Sequence, residues 1–396
     1  MRVAVVGQGY VGATLAQAAA LAGHEVIGID RDATLVGELN QGISHVPGVD
    51  GLSGLIASGK YRVTPEFSAI SDVEIVVIAV PTPLGNDRKP DLSFLKSAVS
   101  DITKYVKPGT LVINESTSFP GTLRELIAKV IGTSALFAAA PERVDPGNTT
   151  WNTKNTPRLI GGLSKEATDR ALNFYRSFCD DVREVSSPEV AEAAKLFENT
   201  FRQVNIALVN EFAQVASALG ISTFETLNAA ASKPFGFMSF TPSAGVGGHC
   251  IPVDPSYLSY AADRVGVETK FINLANQVNL AMPEYLAARI VQLLGGSLKG
   301  KTIQIAGIAY KSDLSDTRES PALALMKVLR SEGADVTWCD DHVQSWNGEA
   351  SQAIKPVNIG IIVTAHSGVD YGPWKNEHTM VIDVSTASNT GWPKFL

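Results

Sequence analysis

The chain has 396 residues, 45% hydrophobic and 18% charged, which excludes a disordered chain and leaves room for two or three domains with cores of their own. A formal net charge of -7 without any lysine or arginine cluster argues against nucleic acid as a partner. Three cysteines, Cys179, Cys250 and Cys339, make no disulfide framework and fit reduced thiols in the cytoplasm. No apolar run approaches the roughly 18 residues of a membrane span, and Gly7 breaks the first one, Val3–Val6, so neither a leader nor a membrane partner is expected.

Arg2–Val6 reads as a short strand. Gly7-Gln8-Gly9-Tyr10-Val11-Gly12 follows at once, and Ala13–Ala22 is strongly helix-forming. Glu25–Ile29 is the next strand, closed by Asp30. Strand, glycine turn, helix and acid are the parts of a dinucleotide site. Gly7 permits the tight turn, Gly9 the close approach of a pyrophosphate and Gly12 tight helix packing, while the helix N-terminus supplies N–H donors. Asp30 suits a ribose 2′-hydroxyl and repels a 2′-phosphate, which favours NAD over NADP; Arg31 works slightly against that preference.

Val73–Val80 is a continuous apolar run, as for a strand buried on both faces, and it ends in Pro81-Thr82-Pro83. Ligands in such sheets sit beyond the carboxyl ends of strands, which makes Thr82 a candidate cofactor contact; the alternative is a rigid turn. Leu111–Asn114 is a strand followed by Glu115-Ser116-Thr117. Leu136–Ala140 is another, followed by Pro141-Glu142-Arg143. These polar residues either face the cofactor or cap helices.

Ser186-Ser187-Pro188-Glu189 is a helix start. Val190, Ala194, Phe197, Phe201, Val204, Leu208, Phe212 and Val215 then recur at helical spacing and predict one long helix ending near Gly220. Its apolar stripe suits a dimer core. Lys195, Asn199 and Arg202 form a second, polar stripe, either solvated or part of a site.

Gly245–Asp254 reads Gly-Val-Gly-Gly-His-Cys-Ile-Pro-Val-Asp. Glycines, a thiol at Cys250 and a carboxylate at Asp254 suit covalent catalysis; the alternative is a buried structural cysteine. Gly295–Lys301 marks a junction. Strands at Thr302–Ile308, Asp335–Cys339, Ile359–Val363 and Met380–Val384, with a helix at Pro321–Leu329, form a second doubly wound domain without a full glycine fingerprint. Lys311 and Arg318, beside Asp313 and Asp316, suit a diphosphate or make surface salt bridges.

Five motifs now stand in order: Val6–Gly12, Val80-Pro81-Thr82-Pro83, Lys195-Leu196-Phe197-Glu198-Asn199, Gly247–Asp254, and Tyr310-Lys311-Ser312-Asp313 through Arg318-Glu319-Ser320-Pro321. On these the chain resembles the UDP-glucose/GDP-mannose dehydrogenase family. The resemblance implies an α/β fold of two Rossmann-like doubly wound domains joined by a long central helix in a helical domain. Its divisions are a 1–185 NAD-binding domain, a 186–294 helical domain for dimerisation with the catalytic Lys and Cys, and a 295–396 nucleotide-sugar-binding domain.

The implied reaction is two NAD-dependent oxidations of a sugar C6 alcohol to the uronic acid, in a homodimer and without a metal. By the match, Cys250 is the nucleophile and Lys195 with Asn199 stabilises oxyanions. Asp254 handles protons, and Glu142 and Thr117 activate and orient water. Gly7, Gly9, Tyr10, Val11, Gly12, Asp30, Thr82 and Thr117 hold NAD. Glu142, Lys195, Asn199, Gly247, Gly248, Lys311 and Arg318 meet the nucleotide sugar, Arg318 as a residue able to reach across a dimer interface.

Glu115 stands where UDP-glucose enzymes tend to have lysine, and Lys233-Pro234-Phe235-Gly236-Phe237-Met238 lacks their arginine. With Pro141-Glu142-Arg143-Val144-Asp145-Pro146-Gly147-Asn148, these features resemble the UDP-N-acetylhexosamine branch, with UDP-glucose or another NDP-hexose as the alternative. Rival readings are a β-hydroxyacid or 6-phosphogluconate dehydrogenase, which would need neither Cys250 nor a second Rossmann-like domain, and a non-catalytic NAD-binding protein.

Overall fold

The computed structural model describes every residue except Pro47, Pro146, Thr149, Ser388 and Asn389, so Pro146 of the Pro141–Asn148 stretch lies outside the described residues. The chain packs as two compact units. One holds Met1–Glu198 with Ser256–Val267, the other Asn199–Pro255 with Glu268–Leu396.

The first unit is built on an eight-stranded sheet: β1 Arg2–Val6, β2 Glu25–Ile29, β3 Tyr61–Thr64, β4 Ile75–Ile78, β5 Leu111–Asn114, β6 Leu136–Ala139, β7 Arg158–Gly162 and β8 Val182–Glu184. Their order is β3-β2-β1-β4-β5-β6-β7-β8. All neighbours run parallel except β6 and β7. Strands β4 and β5 are wholly buried, which fits their unbroken Ile, Val and Leu and the helices on both faces. Helices Tyr10–Leu21 and Lys165–Tyr175 cover one face, and Ser93–Thr103 covers the other. The strand order reverses between β1 and β4, the switch point where such sheets bind ligands.

The second unit has a four-stranded parallel sheet in the order β10-β9-β13-β14, formed by β9 Thr302–Ala306, β10 Asp335–Cys339, β13 Ile359–Ile362 and β14 Met380–Asp383. Two short strands, β11 Ser345–Trp346 and β12 Glu349–Ala350, pair as a hairpin. Helices Lys270–Leu293 and Pro321–Ser331 pack on the sheet through Met282, Leu286, Ile290, Leu325 and Leu329.

The long helix runs over Pro188–Leu219. Ser187 Oγ accepts the Val190 amide at its start (3.4 Å), and Gly220 ends it in the left-handed region (φ 70°). Two expectations change. The first helix begins at Tyr10 rather than Ala13, because Gly9 is already its cap. The run Val73–Val80 gives a strand only over Ile75–Ile78, since Val73 closes a preceding turn and Val80 leaves towards Pro81. Strands β3, β7 and β8 were not expected: β3 is four residues long, and β7 opens on an arginine and closes on two glycines.

Candidate active site

In the first unit the glycine turn closes Rossmann-style. Gly7 has φ 91°, and a Cβ there would stand 2.4 Å from the Ala79 carbonyl oxygen. A Cβ on Gly12 would stand 1.8 Å from the Gly7 carbonyl oxygen, so only glycine lets this helix approach the turn. Gly9 has nothing within 4 Å of that position, which leaves its backbone open at the N-terminus of the Tyr10–Leu21 helix. Gln8 fills the turn from within. Its amide donates to Val5 O (2.8 Å) and its oxygen accepts Tyr61 Oη–H (2.7 Å).

Asp30 accepts the Gln8 amide (2.7 Å) and the Asp32 amide (3.0 Å). A carboxylate has about four acceptor positions, so two remain for ribose hydroxyls. Arg31, which could have favoured a 2′-phosphate, is tied to Ser97 (2.9 Å) and Asp101. These residues fit a dinucleotide without a 2′-phosphate. Tyr10 and Val11 open the helix, half-buried.

The loops beyond β4 and β5 are fastened to each other. Ser116 Oγ accepts the Val80 amide (2.9 Å) and donates to Val80 O (2.9 Å). Thr82 is buried, and its carbonyl accepts the Tyr257 hydroxyl (3.0 Å). Thr117 is half-buried in the loop after β5. That loop is anchored to the long helix by Glu192, which accepts the amides of Gly121 (2.7 Å) and Leu123 (3.0 Å) and the Ser118 hydroxyl (3.3 Å). Burial pushes the Glu192 carboxyl up to about 7, with the two amides pulling the other way.

Beyond β6, Glu142 belongs to a buried charge cluster. Arg158, the first residue of β7, donates to Glu142 Oε2 (2.7 Å), Glu115 Oε1 (3.1 Å) and Ala140 O (3.3 Å). The Arg143 and Val144 amides donate to Glu142 Oε1 (2.6 and 2.8 Å), so both oxygens are held. Burial raises the Glu142 carboxyl, but Arg158 and the Val144 amide outweigh it and bring it below the usual range. Arg143 forks onto Glu198 (2.6 and 3.1 Å), three residues past Lys195 on the long helix. Lys195 is itself buried.

In the second unit, Asn199 Nδ2 donates to Asp254 Oδ2 (2.6 Å), and both residues are buried. Cys250 is half-buried, and its carbonyl accepts the amides of Val253 (3.1 Å) and Asp254 (2.8 Å). The thiol thus sits one tight turn from the carboxylate. Arg202, on the face of Lys195 and Asn199, is exposed. Seven residues turn an α-helix about 700°, so Arg202 is some 20° off Lys195, and only the outer end of the stripe leaves the packed surface.

Buried amides hold the cysteine loop from behind: Asn210 to Asn279 (2.9 Å), and the Ser243 amide to Asn210 Oδ1 (2.9 Å). Gly247 and Gly248 have a packing role. A Cβ on either would come 2.7 Å from Tyr310, and the Gly248 amide donates to Arg318 O (2.9 Å). Lys311, next to Tyr310, is half-buried. The Arg318 guanidinium is forked onto Asp316 (2.6–3.0 Å), which is the salt-bridge alternative. Nearby, His366 accepts the Asp313 amide at Nδ1 (2.8 Å) and meets Asp340 through Nε2 (3.0 Å). With both nitrogens engaged, the Asp313, His342 and His366 cluster works as a clasp within the fold.

Cys179 and Cys339 are buried, and burial pushes their thiols up to about 11 and about 12. Sequence reasoning missed Arg158 and Glu192. The readable signal for Arg158 was a lone cation heading the apolar run Leu159-Ile160.

The UDP-glucose/GDP-mannose dehydrogenase family models match in three consecutive parts: the NAD binding domain over residues 1–179, the central domain over 189–281 and the UDP binding domain over 304–389. A UDP-N-acetyl-D-mannosamine dehydrogenase of Pyrococcus horikoshii is 34% identical over 97% of this chain and 95% of its own length. The solved structure of the UDP-D-ManNAc dehydrogenase from Pyrococcus horikoshii matches with a TM-score of 0.88 at 32% identity, covering 97% of this chain and 95% of that one. A UDP-glucose dehydrogenase from Pyrobaculum islandicum matches with a TM-score of 0.87 at 26% identity, covering 97% and 94%. The chain belongs to the UDP-glucose/GDP-mannose dehydrogenase family and is an NAD-dependent nucleotide-sugar dehydrogenase.

Proposed function

We propose that the enzyme oxidises the C6 alcohol of UDP-N-acetylmannosamine to the carboxylate through a covalent bond to Cys250. The observation that carries the chemistry is the turn joining Cys250 to Asp254 and Asp254 to Asn199. The sugar rests on the relatives named for N-acetylmannosamine, and on Glu115 and an arginine-free Lys233–Met238 stretch in this chain. UDP-N-acetylglucosamine and UDP-glucose are the alternatives.

NAD, when bound, accepts a hydride in each of two oxidations. The glycine turn and Asp30 would hold it by pyrophosphate and ribose, with Thr82 and Thr117 beyond β4 and β5. In the first oxidation C6 loses a hydride and its hydroxyl proton passes to Asp254 through water, giving the aldehyde. The Cys250 thiolate then adds to C6, and the Lys195 ammonium, with Asn199, stabilises the oxyanion. Loss of a second hydride from this thiohemiacetal leaves a thioester. Glu142 takes a proton from water oriented by Thr117. The hydroxide attacks C6, the C–S bond breaks, and the acid and the thiolate are released. Gly247, Gly248, Lys311 and Arg318 serve the nucleotide-sugar side.

In this reading residues 1–185 bind NAD, 186–294 carry the thiol and the dimer contact, and 295–396 bind the nucleotide sugar. Exposed Phe201, Leu208 and Val215 along the long helix support a homodimer, which sedimentation velocity checks. Reduced cysteines fit a cytoplasmic enzyme, and among the described residues no helix is long and apolar enough to cross a membrane.

The test is NADH formed per sugar consumed on a panel of UDP-N-acetylmannosamine, UDP-N-acetylglucosamine, UDP-glucose and GDP-mannose. Two NADH on the first sugar is expected. One NADH on every sugar would remove the thioester route. Cys250→Ala should abolish acid formation while binding NAD normally; a variant still making acid near the parent rate would sink the scheme.

A further inference from the structure

We propose that Glu115 and Arg158 are positioning residues for Glu142: Arg158 fixes its carboxylate, and the charge on Glu115 sets how strong a base it is in the water step. This rests on the reading of Glu142 as the group that activates water.

The geometry is that of two carboxylates sharing one cation. Arg158 is 2% exposed and reaches Glu142 with one nitrogen (2.7 Å) and Glu115 with the other (3.1 Å). The guanidinium also lies over the Tyr175 ring, 5.1 Å from its centre. Tyr175 Oη donates to Glu115 Oε1 (2.5 Å). The charged and titratable groups that face Glu115 are Arg158 from β7, Glu142 from the loop after β6, and Tyr175 and Cys179 from the Lys165–Tyr175 helix and the turn after it.

With both carboxylates ionised the cluster carries one uncompensated negative charge. With a proton on Glu115 it is neutral. Glu115 Oε2 is buried and has no hydrogen-bond partner, so a proton there breaks no existing bond. Burial pushes the Glu115 carboxyl up to about 7; Arg158 and the Tyr175 hydroxyl oppose the rise and the Glu142 charge adds to it.

The consequence for Glu142 has a definite sign. When Glu115 is ionised, Arg158 is shared and Glu142 feels a second negative charge nearby, which raises its proton affinity. When Glu115 is protonated, the whole guanidinium charge acts on Glu142 and makes it a weaker base. Glu142 is ionised at neutral pH either way, because its carboxyl lies below the usual range. Acid release therefore rises as pH climbs through neutrality, while hydride transfer does not share that limb. The pair titrates as a unit, so the limb belongs to the cluster.

The experiment is rapid-quench measurement of acid release on the full-length enzyme with NAD and UDP-N-acetylmannosamine, from pH 5.5 to 8.5, with NADH formation followed in parallel. Glu115→Gln keeps the shape and removes the charge. Its release, taken relative to the first NADH formed by the same variant, should be pH-independent and roughly tenfold below the parent at the alkaline end. Tyr175→Phe keeps the fold and removes a hydrogen bond that favours ionised Glu115, so the limb should move up by roughly 0.5–1 pH unit. A parent-like limb in both variants overturns the inference. Glu142→Gln separates the two readings: if it releases acid at the parent rate, the role of Glu142 fails, whereas slow release there beside a parent-like Glu115→Gln removes only the tuning by Glu115.

Discussion

The turn after β1 and the turn after β9 are the same device used in opposite ways. Each opens with a glycine of positive φ, 91° at Gly7 and 81° at Gly307. Each of these glycines donates its amide to the end of the adjacent strand, at Ile29 O (2.8 Å) and Cys339 O (2.9 Å). Each is pressed against a carbonyl beyond the strand on its other side, Ala79 or Thr364. Each is braced by the acid after the second strand, Asp30 or Asp340. The difference lies in what comes next. After Gly7 the chain presents Gly9 and starts a helix at Tyr10. After Gly307 it presents buried Ala309 and starts no helix until Pro321.

Asp30 is half-buried and takes two amides. Asp340 is 3% exposed and takes four, from Ile308, Ala309, His342 and Val343, as well as His366. A dinucleotide site thus needs more than the glycine turn. It needs donors and acceptors left for a ligand to use.

Substitutions that treat the two turns alike should separate them. The largest effect is expected from Asp340→Ala, which strands four amides and a buried imidazole. It should cost about 3–5 kcal/mol, read as an earlier transition of the second unit in denaturant, with NAD affinity unchanged. The pH dependence follows. Burial pushes the Asp340 carboxyl up, but His366 and the amides outweigh it and hold it below its ordinary 3.8. Its contribution is therefore present above about pH 4 and lost as pH falls through the lower folded value. Acid melts of the parent and of Asp340→Asn should differ in that window; identical curves would mean Asp340 is not the brace.

Next come Gly7→Ala and Gly307→Ala. A Cβ would meet a carbonyl oxygen at 2.4 Å and 1.9 Å, on a backbone that disfavours side chains, so each should lose about 2–4 kcal/mol. Only Gly7→Ala should also lose NAD, by calorimetric titration. The smallest stability change belongs to Gly9→Ala, within about 0.5 kcal/mol because the position is open, yet NAD should bind at least tenfold more weakly. Unchanged NAD affinity in Gly9→Ala would break the comparison at its centre.

Much of this was legible in the sequence because it was local. The glycine turn, Asp30, the long helix and the Gly247–Asp254 loop are continuous segments whose residues announce their neighbours. Arg158 was not legible, because its meaning lies in carboxylates 16 and 43 positions away that only the sheet brings together. The packing at Gly247 and Gly248 was not legible either: a Cβ on either would come 2.7 Å from Tyr310, a residue far along the chain. Arg318 could be read two ways from the sequence, and its guanidinium is forked onto Asp316.

The unequal burial of the three cysteines gives the protein a way of being counted. Cys179 and Cys339 are buried thiols held in their unreactive protonated form, while Cys250 is half-buried. A thiol-selective label applied to the native protein at neutral pH thus has a single preferred target per chain. Its stoichiometry reports the fraction of molecules with an intact Cys250, so the state of that thiol in a preparation can be titrated without any sugar at all.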